Sequence, residues 1–397
     1  MAVYLDYNAT APIRPEAREA ALCALDIGGN PSSIHANGRM ARAAIEQARS
    51  EVAALVGVSP EAVTFTSGGT EANVMAIRSA VAAGSKKPIV LMTEHASTLN
   101  TASASGLWTE AWPVCSNGVA ELGWLRDRLK TWRKEDGAPF AAISLANHET
   151  GVIQPVAEAA AILHEAGGWL HVDAVQGAGK ISIDFRVLGA DTLSLSGHKL
   201  GAPQGVGALI ASPRAKLERR HLGSGQERGL RAGTENLSGI AGFGAAAMAA
   251  LRDFPSVGEQ AVWRDAAAER LKAVGCILAG EAAPRLPGVL CIVCEGWESQ
   301  LQVMALDLAG VMVSAGSACS SGKVAPSHVL AAMKLAGLTE NFAKPVQLAI
   351  AINASGMLAN YGLRASGGWA TTEEDWTAFA DAWLAAYARH ANRRKVA

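Results

Sequence analysis

The chain reads as an α/β protein, a mostly parallel sheet layered with helices and followed by a smaller α+β unit. Three observations carry this. Apolar strand-like runs alternate with alanine-rich helical stretches from about residue 15 to residue 255, the mark of a parallel sheet covered by helices. Past Phe254-Pro255 the alternation stops and a different order of elements follows. With 397 residues, 50% of them hydrophobic and 18% charged, the chain has apolar surface enough to offset the entropy of ordering such layers. Its length suits roughly two to three domains.

In chain order the strands are AVTFT, PIVLM, FAAISLA, GWLHVDA, DTLSLS and VGALIA. The segments between them include RMARAAIEQARSEVAALV and VAEAAAILHEAG, which read as helices. In such a sheet, ligand groups gather on the loops that follow the carboxyl ends of the strands, so the chemistry is expected there. The second unit begins with a helical segment from Glu259 to Val274. Strand-like runs follow around GVLCIVCEG and VMVSA, then helical stretches near 327–336 and 373–390. No repeat of solenoid length is visible.

A net charge of -1 gives no overall basic field, so nucleic acid is not expected as a direct partner. MAVYLDYNAT has no basic stretch followed by an apolar one, which points to the cytoplasm. The uncharged stretch from Pro345 to Leu363 contains Gln347, Asn353, Ser355 and Asn360, which make bilayer insertion costly, and no membrane span is expected. Six cysteines are scattered without the density of a disulfide framework. The pair Cys291 and Cys294 superficially suggests a redox or metal motif. In a strand, however, residues three apart point to opposite faces, and no second such pair follows, so both are read as ordinary strand residues and no metal is expected.

Two constellations carry chemistry. The first is VTFTSGGTEAN, Val63 to Asn73: a strand, a glycine turn and a helix starting near Thr70. Unsatisfied backbone N–H groups and the helix dipole make such a start, around Gly69 and Thr70, an anion site. A plain helix cap is the commoner use of this turn, so the segment alone leaves both readings open. The second is GWLHVDAVQGAGK, in which Asp173 ends an apolar strand, followed by DTLSLSGHKLGAPQG, in which another strand ends in Ser196-Gly197-His198-Lys199. A lysine there is poorly solvated, which favours the neutral amine needed to condense with an aldehyde. An aspartate and a lysine at neighbouring strand ends suit pyridoxal 5'-phosphate, the carboxylate keeping the pyridine nitrogen protonated.

The segments YLDYNAT, GNPSSIH, TSGGTEAN, TEHAST, NHETG, HVDAVQ, SGHKLGAPQG, GSGQERGLRAGTEN and SAGSACSSG, in this order from residue 4 to residue 322, closely resemble the cysteine desulfurases of the NifS and IscS type. These belong to the class V aminotransferase group of fold-type I pyridoxal-phosphate enzymes. The resemblance implies a large domain with a mostly parallel seven-stranded sheet over residues 15–255, and a smaller α+β domain from residues 1–14 and 256–397. It implies that Lys199 bonds the cofactor, Asp173 pairs with its ring nitrogen and Gln176 donates to its phenolic oxygen. His95 stacks on the ring and moves protons; Gly69, Thr70, Ser196 and His198 hold the phosphate; Thr234 reaches in from the second subunit of a homodimer. Asn147 lies near the phenolic oxygen and the substrate carboxylate. The implied substrate is L-cysteine, and the implied partner is a sulfur acceptor, an iron–sulfur scaffold or another thiol carrier.

Residues 314–322 are only Ser, Ala, Gly and Cys, and cannot pack a core. Such a run is expected to form a mobile loop, of about 314–325, and Cys319 on it reads as a swinging nucleophile that takes sulfur from the substrate and carries it outward. A class V transaminase or selenocysteine lyase would use the same cofactor, but transamination needs no thiol on such a loop. An inactive scaffold has no physical requirement for Lys199, Asp173, His95 and Cys319 together. The substrate-carboxylate arginine of the family matches Arg364, which keeps its offset from Thr371-Thr372-Glu373-Glu374 but lies 45 residues after Cys319, farther than the family pattern. A competing register places Gln347 there; Arg364 is preferred because only a guanidinium offers a two-pronged donor to a carboxylate.

Overall fold

Residues 2–219, 222–316, 326–334 and 358–396 are described by the computed structural model. Among them, the principal sheet is built from β2 (Val63–Thr66), β3 (Ile89–Leu91), β4 (Glu110–Trp112), β5 (Phe140–Ser144), β6 (Trp169–Asp173), β7 (Thr192–Ser196) and β8 (Gly207–Ala211). Their spatial order is β2-β8-β7-β6-β5-β3-β4. Every neighbouring pair is parallel except those of β8, which runs antiparallel to both β2 and β7. The reason is the link from Gly197 to Val206, too short for the crossover that a parallel return requires. Six of the seven strands coincide with the apolar runs. The half-polar edge strand β4 carries too little apolar signal in its three residues to stand out.

Most of these strands are buried from end to end, as a sheet covered on both faces requires. Helices α1 (Pro15–Asp26), α2 (Ala36–Leu55), α3 (Gly69–Ala82), α4 (Ala96–Ala104), α5 (Leu122–Lys130), α6 (Val156–Glu165), α7 (Phe185–Leu188) and α8 (Leu237–Asp253) supply the layers. Small residues set the spacing between α2 and α8: a Cβ on Gly244 would lie 2.7 Å from the Ala48 Cα, so any larger residue would push the two helices apart. The core under this sheet runs from Ile45 and Val52 through Ile143, Leu170 and Leu193 to Phe243.

A second, antiparallel sheet has the order β12-β10-β9, from β9 (Ile277–Leu278), β10 (Val289–Val293) and β12 (Gly362–Ser366). The N-terminal β1 (Val3–Tyr4) pairs in parallel with β11 (Val311–Met312), which brings the start of the chain to this unit. Helices α9 (Glu259–Lys272), α10 (Ser299–Asp307), α11 (His328–Lys334) and α12 (Glu373–Val396) complete it. The core around Leu290 and Ile292 is filled by Trp376, Phe379 and Trp383 of α12. Cys291 belongs to the core of the large sheet and Cys294 to this second core, the opposite-face arrangement expected of a strand. No described helix is long and apolar enough to cross a membrane.

Candidate active site

The carboxyl ends of the strands converge on a cavity of about 580 Å³, a size typical of small-molecule sites. Its wall contains Gly69 and Thr70 after β2, His95 after β3, Asp173 and Gln176 at and after β6, and Ser196, His198 and Lys199 at and after β7. Arg364 enters from β12 of the second sheet. Residues spread over some 300 positions of sequence thus share one chamber, as the strand-end rule requires.

At one end of the chamber α3 begins at Gly69, one residue earlier than its sequence suggests, and no side chain caps its first turn. A Cβ on Gly69 would stand 2.6 Å from Val175 Cγ2 and 3.4 Å from Ser196 Cβ, so glycine is what lets the helix start close against the ends of β6 and β7. Thr70 is exposed to the chamber there. His198 is half-buried and meets Thr10 Oγ1 at 3.2 Å; burial first and Lys199 second bring its imidazole down to about 4, so it is neutral at physiological pH.

Asp173 is buried at the end of β6. Its Oδ2 accepts from Asn73 Nδ2 at 2.7 Å and its Oδ1 from the Val175 N–H at 3.0 Å. Asn73 is held in turn: its Oδ1 meets His171 Nε2 at 2.9 Å and accepts from Ser194 Oγ at 2.6 Å. Burial brings His171 down to about 4, so the ring is a neutral donor to Asn73. Lys199 donates to the carbonyls of Asn8 at 2.5 Å and Ala9 at 2.7 Å.

His95 caps α4: its Nδ1 accepts from the Ser97 N–H at 3.1 Å, so the neutral ring carries its proton on Nε2. The ring lies edge-on to His148, centroids 5.5 Å apart, and His148 stacks on His328 at 6.0 Å. Arg364 donates from Nη2 to Asp6 Oδ1 at 2.8 Å and from Nη1 to the His148 carbonyl at 3.0 Å; its Nε is buried with no partner among the described residues.

Two sequence candidates stand apart from the chamber. Asn147 does not line it: its Nδ2 donates to the Thr93 carbonyl and its Oδ1 accepts from the Glu149 and Thr150 N–H groups, tying the 147–152 loop together. Thr234 is exposed, on a segment anchored by Glu227, whose carboxylate takes two hydrogen bonds from buried Arg49 and one from the Phe65 N–H. Cys319 and Gln347 lie outside the described residues.

Sequence reasoning passed over four residues. Asn8 and Lys180 sit beside Gln176 and Lys199, Asn73 holds Asp173, and fully buried Glu94 accepts from the N–H of Ser144, a residue of the chamber wall. Each belongs to a segment already singled out (DYNAT, DAVQGAGK, TEAN and TEHAST), and that membership was the available signal, since none of the four lies within a strand.

These residues suit pyridoxal phosphate. An uncapped helix start beside Ser196 and Thr70 offers N–H donors to a phosphate, buried Asp173 supplies a carboxylate that would pair with a protonated ring nitrogen, and Lys199 brings an amine to the same cavity.

The model of the aminotransferase class-V family matches residues 3–379. A cysteine desulfurase of Cereibacter sphaeroides is 41% identical over 84% of this chain and 87% of its own length. Cysteine desulfurase IscS 1 of Archaeoglobus fulgidus is 35% identical over 84% of this chain and 88% of its own. Among solved structures, a NifS-like protein from Rickettsia africae superposes with a TM-score of 0.84 at 29% identity, covering 98% of this chain and 99% of that one. The chain belongs to the class-V aminotransferases, pyridoxal-phosphate enzymes, and within them to the cysteine desulfurases.

Proposed function

We propose that the chain converts L-cysteine to L-alanine in this chamber and takes the sulfur onto Cys319 as a persulfide, for transfer to an acceptor protein such as an iron–sulfur scaffold. The observation that carries the reading is the meeting of Lys199, Asp173 and the uncapped start of α3 on one cavity. When bound, pyridoxal phosphate supplies an electron sink for the negative charge that develops at the amino acid's Cα. Asp173, aligned by Asn73, keeps a proton on the ring nitrogen. Lys199 would hold the cofactor by its aldehyde and, as a free amine, would serve as a base toward the substrate. His95, in the wall of the same chamber, would move a proton to or from the reacting group. Arg364 binds the substrate carboxylate. Cys319 attacks the substrate sulfur: a sulfur–sulfur bond forms, the carbon–sulfur bond breaks, and its electron pair is left with carbon.

In this reading residues 15–255 bind the cofactor, while residues 1–14 and 256–397 form the smaller unit that carries the catalytic loop. The enzyme acts in the cytoplasm as a homodimer, with exposed Thr234 contributed to the partner's phosphate site.

The test is to incubate purified protein with L-cysteine and measure alanine and sulfide together, with and without a reductant. Alanine with sulfide released only on reduction is expected; no alanine would sink the proposal. Borohydride reduction followed by peptide mapping should mark Lys199, and a label confined to another lysine would overturn its role.

A further inference from the structure

Lys180 lies one helical turn beyond Gln176, in a short turn closed by bonds from the Ala178 N–H to the Ala174 carbonyl and from the Ile181 N–H to the Gly177 carbonyl. Its Nζ sits between two amide oxygens, donating to Asn8 Oδ1 at 2.7 Å and to Gln176 Oε1 at 3.0 Å. Neither amide is at liberty to turn. Asn8 Nδ2 is committed to the His148 carbonyl at 3.1 Å, which leaves Oδ1 for Lys180. Gln176 Nε2 donates to the Asn8 carbonyl at 3.0 Å, the same oxygen that receives Lys199.

An amide side chain offers a donor at one end and an acceptor at the other, and which end faces a ligand is decided by what holds the other. We infer that Lys180 is a positioning residue for the cofactor: by occupying Gln176 Oε1 it fixes Nε2 as the end presented to the chamber, so that Gln176 is a hydrogen-bond donor there. This rests on the pyridoxal-phosphate reading of the cavity.

The charge balance agrees with the geometry. The ionisable groups that act on Lys180 are Lys199 and Arg364. Withdrawal from water first, then Lys199 and Arg364, brings its ammonium down to about 7. A neutral amine still has two N–H donors, and the described residues supply two acceptors. Lys180 therefore orients Gln176 in either protonation state.

A donor on the cofactor's ring oxygen stabilises the ionised oxygen and loosens the proton that oxygen shares with the lysine-bound nitrogen. Without it, the pH midpoint of the bound cofactor's visible absorbance band moves up. The experiment titrates that band in the wild type, Lys180→Met, Gln176→Ala and the double variant, with the dissociation constant for pyridoxal phosphate measured alongside. Lys180→Met is expected to raise the midpoint by about one pH unit and weaken cofactor binding about tenfold, the size of one hydrogen bond. If Lys180 works through Gln176, adding Lys180→Met to Gln176→Ala moves the midpoint no further. Should Lys180→Met not fold, Lys180→Ala, which likewise offers no donor to Gln176 Oε1, goes through the same cycle with the same expectation. An unchanged midpoint in the single Lys180 variant, or a shift of undiminished size on the Gln176→Ala background, overturns the inference while leaving the cofactor reading intact. A wild-type chain that takes up no pyridoxal phosphate overturns both.

Discussion

Asn73 donates to the Asp173 carboxylate at 2.7 Å from the first turns of α3, the helix whose N-terminus lines the same chamber. One helix thus brings to the chamber both its uncapped start and the amide that holds Asp173. The bond is backed by His171 and Ser194 on Asn73 Oδ1, so the amide cannot turn and offer its oxygen to the carboxylate.

Asp173→Asn should keep cofactor but lose most activity, because an amide does not keep the ring nitrogen protonated. Asn73→Ala should be milder. Removing one bond to a buried charged group costs about 1–3 kcal/mol, so kcat should drop about tenfold to a hundredfold with KM for cysteine little changed. Steady-state kinetics on the two variants decide; an Asn73→Ala enzyme with wild-type kcat would show that Asp173 needs no such support.

Cys319→Ser should leave cofactor binding intact and remove cysteine-dependent sulfur release, since a hydroxyl is a far weaker nucleophile toward sulfur than a thiolate. Cys291→Ser and Cys294→Ser should keep catalysis. Both side chains are buried, and burial pushes the Cys291 thiol up to about 12, leaving almost no thiolate at neutral pH. Mass spectrometry after a cysteine pulse should place the added sulfur on Cys319; sulfur found only on Cys291 or Cys294 would end the nucleophile assignment.

Arg364 reaches the chamber with its guanidinium already held by Asp6 and the His148 carbonyl. Losing a charge-assisted pair in a partly desolvated site costs on the order of 2–5 kcal/mol, so Arg364→Ala should raise KM for cysteine well over tenfold. Gln347→Ala should change it little. The reverse pattern, a silent Arg364→Ala with a damaging Gln347→Ala, would mean that the substrate carboxylate is held elsewhere.

Glu94 links pH to stability. It is fully buried, its Oε1 accepts from the Ser144 N–H, and burial first and Asp173 second push its carboxyl from 4.5 up to about 8. The folded chain thus keeps a proton that the unfolded chain releases above pH 4.5. The corresponding stabilisation is complete below that pH, shrinks as pH rises, and is lost by about pH 8. Glu94→Gln, neutral throughout, should match the wild type near pH 5 and melt higher by about 5 °C or more near pH 8.5. A difference in Tm that does not change with pH would contradict an ionisation of Glu94 in this range.

Strand ends were the legible part of the site. Asp173 and Lys199 could be read as chemical residues because each interrupts an apolar run at the point where a parallel sheet delivers its loops, a matter of local pattern. The same local logic separates Cys291 from Cys294, and their two cores follow from the alternation of a strand. Lys180 illustrates the limit. Its spacing from Gln176 places the two within reach, but nothing nearby in sequence says that the amine turns inward to share Asn8, some 170 residues earlier.

Composition and alternation by themselves determined the α/β class and put Asp173 and Lys199 at the ends of buried strands, because burial on both faces of a sheet writes itself into consecutive residues. Tertiary structure alone decided that Asp6 meets Arg364 across 358 positions, that Asn73 aligns Asp173, that Asn147 spends its amide on the Thr93 carbonyl and its own loop, and that Glu94 is buried. The reason is physical: a backbone element is selected by neighbours three or four residues away. A buried polar side chain is selected by whichever donor or acceptor the fold brings within 3 Å of it, and that partner has no fixed distance in sequence.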